Sequence, residues 1–160
     1  MTYRPDKIIS GGQTGADIGG LIGAKSVGIA TGGYAPRGYK TEAGPQSETL
    51  QALGLVALPS PNYTHRTKQN VFSSDATLIL AADIASDGTR LTIEYCKEFG
   101  KPCLVIDPSE ECLESIRVFL DIHQPRILNI AGNRESKSKG IAQKTAQIIQ
   151  ALWRDQRGSG

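Results

Sequence analysis

Apolar residues form two kinds of pattern, and the two kinds alternate along the chain. Short continuous apolar runs are typical of strands buried on both faces of a parallel sheet, whereas apolar positions three or four residues apart are typical of amphipathic helices. The continuous runs predict strands over 7–10, 55–58, 77–81, 102–106 and 126–131. The helical spacing predicts helices over 17–27, 63–73, 89–99, 111–122 and 139–153.

Strands and helices alternate in this order, and no hairpin signal stands between neighbouring strands. Such alternation predicts parallel βαβ units. We therefore expect an α/β fold, a Rossmann-like, doubly wound and mainly parallel sheet of about five to six strands with helices on both faces. Residues 1–157 would form one domain, with 158–160 as a tail outside it. Ligands of such sheets bind outside the carboxyl ends of the strands.

The segment from Thr31 to Glu48 follows neither period and is rich in glycine and proline. We expect it to be irregular. Loops of this length in compact domains are usually functional or mobile. The predicted helix over 17–27 contains several glycines, which weaken an exposed helix and therefore indicate close packing on a sheet or on a ligand.

Composition narrows the class of function. The chain has 18 basic and 16 acidic residues and a net charge of +2, which argues against a nucleic-acid-binding protein. No apolar run reaches the roughly 20 residues that span a bilayer, and no basic-then-apolar leader is visible, so we expect a cytoplasmic protein without membrane contact. Cys96, Cys103 and Cys112 form no CxxC pair, which favours reduced thiols.

The strongest candidate for chemistry is the glycine-rich segment Ser10–Asp17, which follows a strand and opens a helix. Glycines let the backbone approach a ligand, and the free amides of a first helical turn bind anions. The spacing matches neither the dinucleotide GxGxxG pattern nor the P-loop, so it supports neither NAD nor a nucleoside triphosphate. The alternative is a tight structural turn.

Three further junctions carry polar groups suited to an anion. Arg37 lies in a glycine-flanked loop, where a guanidinium can bind an oxyanion with two parallel hydrogen bonds. Asp87 is predicted to cap a helix that opens at Thr89, which would place a second helix N-terminus at the same sheet edge. Arg134 and Ser136 follow the last strand. The alternatives are a solvated arginine, an ordinary cap and a surface ion pair.

The sequence gives little support for metal binding or for nucleophilic catalysis. The two histidines, His65 and His123, match no metal-ligand spacing, and the nucleophile elbow GxSxG is absent. The basic and amide groups over 65–70 are those of a solvated helix face. Carboxylates near the glycine turns (Asp17, Asp75, Asp83 and Asp87) are candidates for acid or base, although most are also explained as caps or turn residues.

In order along nearly the whole chain, the sequence resembles the molybdenum cofactor carrier proteins. The segments that carry the resemblance are Ser10–Asp17, Gly33–Gly38, Arg66–Val71, Ser74–Ile79, Gly88-Thr89 with Leu91-Thr92, Gly100–Pro102 and Asn129–Ser136. The first and last are the most specific.

This resemblance implies a Rossmann-like fold in the superfamily that includes the lysine-decarboxylase-like nucleotide phosphoribohydrolases. It implies a homotetramer that stores the molybdenum cofactor and hands it to cofactor-free molybdoenzymes without chemical turnover. By the same resemblance, the phosphate of this small anionic ligand would be bound by Gly11, Gly12, Gln13, Thr14 and Gly15. The pocket would be lined by Arg37, Asn70, Asp87, Gly88, Thr89, Arg134 and Ser136.

Two departures from related patterns bear on this expectation. The hydrolase relatives carry a glutamate three residues after the glycine-threonine pair, where this chain has Thr92, and Glu94 comes two residues late. This favours a binding protein over an enzyme. A hydrolase of nucleotide monophosphate derivatives, with Asp17, Asp87 or Glu94 as its carboxylate, or a nucleotide sensor, stays open as the alternative. Asn133 also stands where many carriers have proline.

Overall fold

A computed structural model describes residues 2–109 and 111–158, without the side chains from residue 155 onward. Within them the chain forms a six-stranded parallel sheet in the order β5-β2-β1-β8-β6-β7 and a separate hairpin of β3 and β4. The strands are β1 Lys7–Ile9, β2 Ala30–Ala35, β3 Lys40–Thr41, β4 Gly44–Pro45, β5 Leu55–Ala57, β6 Ala76–Leu80, β7 Cys103–Ile106 and β8 Ile127–Gly132. The prediction of a Rossmann-like α/β fold is confirmed.

Six α-helices connect these strands. They are α1 Ala16–Ser26, α2 Ser47–Ala52, α3 Tyr63–Ser73, α4 Asp87–Glu98, α5 Leu113–His123 and α6 Ile141–Gly158. Helices α1, α5 and α6 pack together over one face of the sheet, where Leu78, Leu128 and Ile130 are fully buried. Helices α3 and α4 pack against each other and against β6 and β8 on the other face.

The expectation of an irregular segment over 31–48 is wrong at both of its ends. Residues 30–35 form β2, which lies between β1 and β5, and α2 begins at Ser47. The sequence ATGGYA of β2 has no strand pattern, because the strand needs a glycine where it passes the residue after β1. A Cβ on Gly33 would lie 2.1 Å from the main-chain oxygen of Ser10. The same segment contains a short antiparallel pair of β3 and β4, which was not predicted.

The glycines of α1 allow the close packing that their presence predicts. A Cβ on Gly19 would lie 2.3 Å from the main-chain oxygen of Ala142 at the start of α6, and one on Gly20 would lie 2.7 Å from Ile130 in β8. Small residues therefore bring α1 down onto the sheet and against α6. This contact sets the position of the loop before α1.

Two further findings complete the fold. Helix α6 continues to Gly158, five residues past its predicted end, while 159 and 160 lie outside the described residues. In the part of the chain that the structure describes, no helix combines the length and the apolar character that crossing a bilayer requires.

Candidate ligand-binding site

The loops that leave β1, β6 and β8 meet around one cavity of about 570 Å³. Parallel strands place their carboxyl ends at one edge, so this is the edge where a ligand is expected. The volume is within the range of about 300–1,000 Å³ that small-molecule sites occupy. Its polar lining comprises Gln13, Asp17, Tyr63, Thr64, Arg66, Thr67, Asn70, Asp83, Ser86, Asp87, Thr92, Asn129, Asn133, Arg134 and Lys137.

A buried ion pair forms one wall of this cavity. The Arg66 guanidinium donates to the main-chain oxygen of Gly11 over 3.1 Å and lies 3.4 Å from the Asp17 carboxylate. Burial raises the pKa of Asp17, and the neighbouring Arg66 charge opposes that rise. The expectation that residues 65–70 form only a solvated helix face is wrong for Arg66, which is 7% exposed.

Three cations surround the ring of Tyr63 at the beginning of α3. The ring centroid lies 4.7 Å from Lys40 Nζ, 5.2 Å from Arg66 Cζ and 4.9 Å from Arg134 Cζ. All three lie within the distance of about 6 Å at which a cation interacts with an aromatic face. The Asp17 carboxylate pairs with Arg66, whereas no ion pair forms at Lys40 or Arg134 among the described residues. This side of the cavity is therefore suited to an anion.

Two buried donors in the same cavity have no partner. They are Arg66 Nε and Gln13 Nε2, and Gln13 is only 4% exposed. The Gln13 amide is held in one orientation, since its oxygen accepts from the main-chain N–H of Thr14 at 3.0 Å and of Glu42 at 2.8 Å. A buried donor without a partner is costly, so each of these two groups would be stabilised by an acceptor.

The main-chain amides of the glycine-rich loop are less available than expected. Gly12 N donates to Ser10 Oγ at 3.3 Å, Gln13 N to Asp17 Oδ2 at 3.3 Å and Thr14 N to the Gln13 side chain at 3.0 Å. Ala16 N, in the first turn of α1, donates to the Asn133 oxygen at 3.1 Å. The prediction that free amides of this turn form the anion site is therefore wrong for these four groups. Side chains supply the positive charge instead.

The glycines of this loop serve contacts within the protein. A Cβ on Gly11 would lie 2.2 Å from Arg66 Cδ, and one on Gly15 would lie 2.3 Å from the main-chain oxygen of Asn133. Gly15 also has a φ of 85°, which favours glycine. The loop thereby holds Arg66 on one side and the loop after β8 on the other.

The loop after β6 is tied to the loop after β8 by one amide side chain. Asn133 accepts from Asp83 N at 2.9 Å and donates to Asp83 O at 3.0 Å, and its Nδ2 also lies 3.3 Å from Ser86 Oγ. Asn133 is thus a structural link between two loops of the site. The hydroxyl of Ser86 is also the N-cap of α4, accepting from Thr89 N at 3.4 Å. The prediction of an Asp87 cap is wrong, since Asp87 is the first residue of the helix.

The structure divides the predicted site residues into two groups. Those that line the 570 Å³ cavity are Gly11, Gln13, Asn70, Asp87, Gly88 and Arg134. Those outside its lining are Gly12, Thr14, Gly15, Arg37, Thr89 and Ser136. Gly12, Thr14 and Gly15 instead line a neighbouring cavity of about 230 Å³, and Arg37 is an exposed residue of a 3₁₀ turn.

Asn70 lines the cavity, but its side-chain amide is engaged within the protein. Its side-chain oxygen accepts from Tyr34 N at 2.9 Å, and its Nδ2 donates to the main-chain oxygens of Tyr34 and Arg66. The amide therefore fixes the end of β2 against α3. Tyr63 and Asn133 were not predicted as site residues, because neither a lone tyrosine after a cap nor a lone asparagine after a glycine has a distinctive pattern.

Several carboxylate and hydroxyl groups of the cavity are engaged within the protein. Asp17 is buried and engaged by Arg66, and Thr92 donates its hydroxyl to the Gly88 oxygen at 2.8 Å. Among residues 2–109 and 111–158, no group of three His, Cys, Asp or Glu side chains is placed to hold a metal ion. Asp83 and Asp87 line the side of the cavity that belongs to the loop after β6. The lining thus includes the cations at Tyr63, which we call the cationic side of the cavity, and two further carboxylates that follow β6.

Residues 8–153 match the circularly permutated YpsA SLOG family. The chain belongs to this family. This SLOG chain is 36% identical to a solved protein from Syntrophus aciditrophicus SB, named a "putative molybdenum carrier protein". The two structures agree with a TM-score of 0.87 over 95% of this chain and 97% of the other. No curated protein matches the sequence.

Proposed function

We propose that this SLOG protein is a carrier that binds the molybdenum cofactor through the terminal phosphate of its pterin and releases it unchanged. The observation that carries the proposal is the pair of buried, unpartnered donors, Gln13 Nε2 and Arg66 Nε, in a cavity beside the cations around Tyr63. Phosphate oxygens accept charge-assisted hydrogen bonds from such groups. The name of the S. aciditrophicus protein supports the same ligand.

The two sides of the cavity suit the two ends of such a ligand. Arg66, Arg134 and Lys137 lie where an anionic tail is favoured, whereas Asp83 and Asp87 offer acceptors to the N–H and amino groups of a pterin ring. The metal of this cargo is held by the dithiolene of the pterin itself. The protein therefore needs no cluster of metal ligands, and a carrier needs no acid–base pair.

Mass spectrometry of the ligand released from freshly purified protein tests the proposal. We expect a phosphorylated pterin from cells that synthesise the cofactor, and we expect the loaded protein to activate a cofactor-free molybdoenzyme. Arg134→Ala should lower cofactor occupancy about tenfold or more, because a charged hydrogen bond to phosphate is lost. Loaded protein that neither retains a pterin nor donates it would contradict the proposal.

Arg126→Ala is the matched control for the Arg134 variant. Arg126 precedes the same strand, β8, but at the opposite end, and its exposed side chain pairs with Asp6 at 3.3 Å. Both variants lose one guanidinium, so they change the net charge equally. Equal losses of occupancy in the two variants would show that Arg134 acts only through the overall charge.

A hydrolase acting on nucleotide monophosphate derivatives is the second candidate. The observation that favours it is the buried Asp17, a cavity-lining carboxylate whose pKa is raised by burial, as the pKa of general acids often is. Release of free base from nucleotide monophosphates, lost in Asp17→Asn, would support the hydrolase. Unchanged turnover in that variant would remove Asp17 as the catalytic carboxylate. The homotetramer and the cytoplasmic location stay predictions.

A further inference from the structure

A carboxylate of the protein itself is bound where the sequence predicted phosphate ligands. Glu42 lies in the turn of the β3–β4 hairpin, and its carboxylate accepts from Ser136 Oγ at 2.5 Å, from Ser136 N at 3.2 Å and from the hydroxyl of Thr14. Thr14 belongs to the loop after β1 and Ser136 to the loop after β8. Three donors from two loops thus converge on one anionic group.

The electrostatics of Glu42 are those of a bound anion. Desolvation is the largest single effect on this carboxylate, and it raises the pKa of Glu42. The hydrogen bonds from Ser136 and Thr14, together with the nearby charge of Arg134, outweigh that effect and lower the pKa. The donors therefore stabilise negative charge at this position. A phosphoryl group carries three acceptor oxygens and could accept from all three donors.

A second observation connects this position to the main cavity. The main-chain N–H of Glu42 donates to the side-chain oxygen of Gln13 at 2.8 Å, while Gln13 Nε2 is buried without a partner. Gln13 lines the main cavity, and Thr14 follows it in the chain. The hairpin that supplies the carboxylate therefore also holds the residue whose buried donor lacks an acceptor.

We propose that Thr14 and Ser136 form an anion subsite that the Glu42 carboxylate occupies in the free protein, and that a phosphoryl group displaces Glu42 from it. The β3–β4 hairpin is then a self-inhibiting cover. It keeps the donors satisfied in the absence of ligand, and it must move for an anion to bind at this position. Thr14 and Ser136 lie outside the lining of the main cavity, so the inference does not depend on the cargo proposed above, and its test uses inorganic phosphate alone.

The test is calorimetric titration of the protein with inorganic phosphate, comparing the wild type with Glu42→Ala and Glu42→Gln. Removal of the competing carboxylate should tighten phosphate binding about tenfold in the alanine variant, which corresponds to about 1.4 kcal/mol. The glutamine variant should show a smaller gain, since its amide oxygen still accepts from the donors without the charge. In Glu42→Ala, the Ser136 amide resonance should shift on addition of phosphate.

Glu48→Ala is the control for charge. Glu48 is an exposed acid in the first turn of α2, six residues after Glu42 in the chain. Its removal changes the net charge equally and leaves the Thr14–Ser136 donors engaged. Phosphate should bind this variant as it binds the wild type. A thermal melt of each variant confirms that it is folded before titration.

Three results would overturn the inference. Folded Glu42→Ala could bind phosphate no more tightly than the wild type, Glu48→Ala could gain as much, or the Ser136 amide could fail to shift. Phosphate binding could be lost in Arg134→Ala and not tightened in Glu42→Ala. This result would support the proposed anion pocket and exclude only the role of Glu42. Conversely, a gain in Glu42→Ala without any pterin in purified protein would support the subsite and contradict the proposed cargo.

Discussion

The close contact between Gly11 and Arg66 gives a sharp test of how the site is built. In Gly11→Ala the new Cβ would lie 2.2 Å from Arg66 Cδ and 2.4 Å from Arg66 Nη1, whereas an ordinary contact requires 3.4 Å or more. The guanidinium must therefore move by about 1 Å or more, since atoms in a packed interior cannot overlap. These atoms belong to the far end of a flexible side chain, so the cost of the shift comes from weakening the contacts of Arg66 with the Gly11 oxygen and with Asp17.

The expected cost follows from the burial of the pair. Breaking a buried ion pair by removing one partner costs about 3–5 kcal/mol, and the open cavity beside Arg66 allows water to recover part of it. We expect Gly11→Ala to lower the free energy of unfolding by about 2–3 kcal/mol. For a chain of this size that is a fall of roughly 4–12 °C in the midpoint of thermal unfolding.

Urea denaturation followed by circular dichroism measures this difference, with Gly88→Ala as the control. Gly88 lines the same cavity, but a Cβ there would meet nothing within 4 Å. The control should be as stable as the wild type or more stable by up to about 1 kcal/mol, since alanine favours a helix. A loss below about 1 kcal/mol in Gly11→Ala would refute the argument that this contact fixes Arg66 beside Asp17.

The other predictions concern the supports of the site. Ser86→Ala should lower the free energy of unfolding by about 1 kcal/mol, because it removes the N-cap of α4, whereas Asp87→Ala should cost about 0.5 kcal/mol or less. If urea denaturation showed a larger loss of stability in Asp87→Ala than in Ser86→Ala, the assignment of Ser86 as the cap would be wrong. Burial raises the pKa of Asp17 above 3.8, so the folded state binds its proton more tightly than the unfolded chain does. The wild type should therefore gain stability relative to Asp17→Asn as the pH falls from the raised pKa towards 3.8, and a constant difference between pH 7 and pH 4 would count against this. Gly132→Ala should yield no folded protein in an expression and circular dichroism test, because its Cβ would lie 1.9 Å from the main-chain oxygen of Leu80. Normal yield and spectrum would show that the two strands can separate.

The fold was predictable because most of its elements carry their own periodic signal. The run over 77–81 identified a strand that is fully buried in β6, and the spacing over 139–153 identified most of α6. Strand β2 was not predicted because two of its six residues are glycines, Gly32 and Gly33. Gly33 is required by its contact with the main-chain oxygen of Ser10, and such a contact has no local signature.

The site was predictable in position but not in mechanism. Parallel strands bring the loops after β1, β6 and β8 to one edge, so the location followed from the order of elements. The sequence alone could not show that Asp17 and Gln13 accept hydrogen bonds from the glycine-loop amides, which leaves binding to side chains. Nor could it show that Arg66 turns inward, since a basic residue on a polar helix is usually solvated.

We propose that the cationic side of the cavity binds the phosphate of the ligand. The most direct test of this proposal is a comparison of the affinities of the protein for metal-free molybdopterin and for the same pterin without its phosphate, by calorimetric titration. We predict that the phosphorylated form binds at least about tenfold more tightly, a difference of about 1.4 kcal/mol. Equal affinities for the two forms would contradict the account.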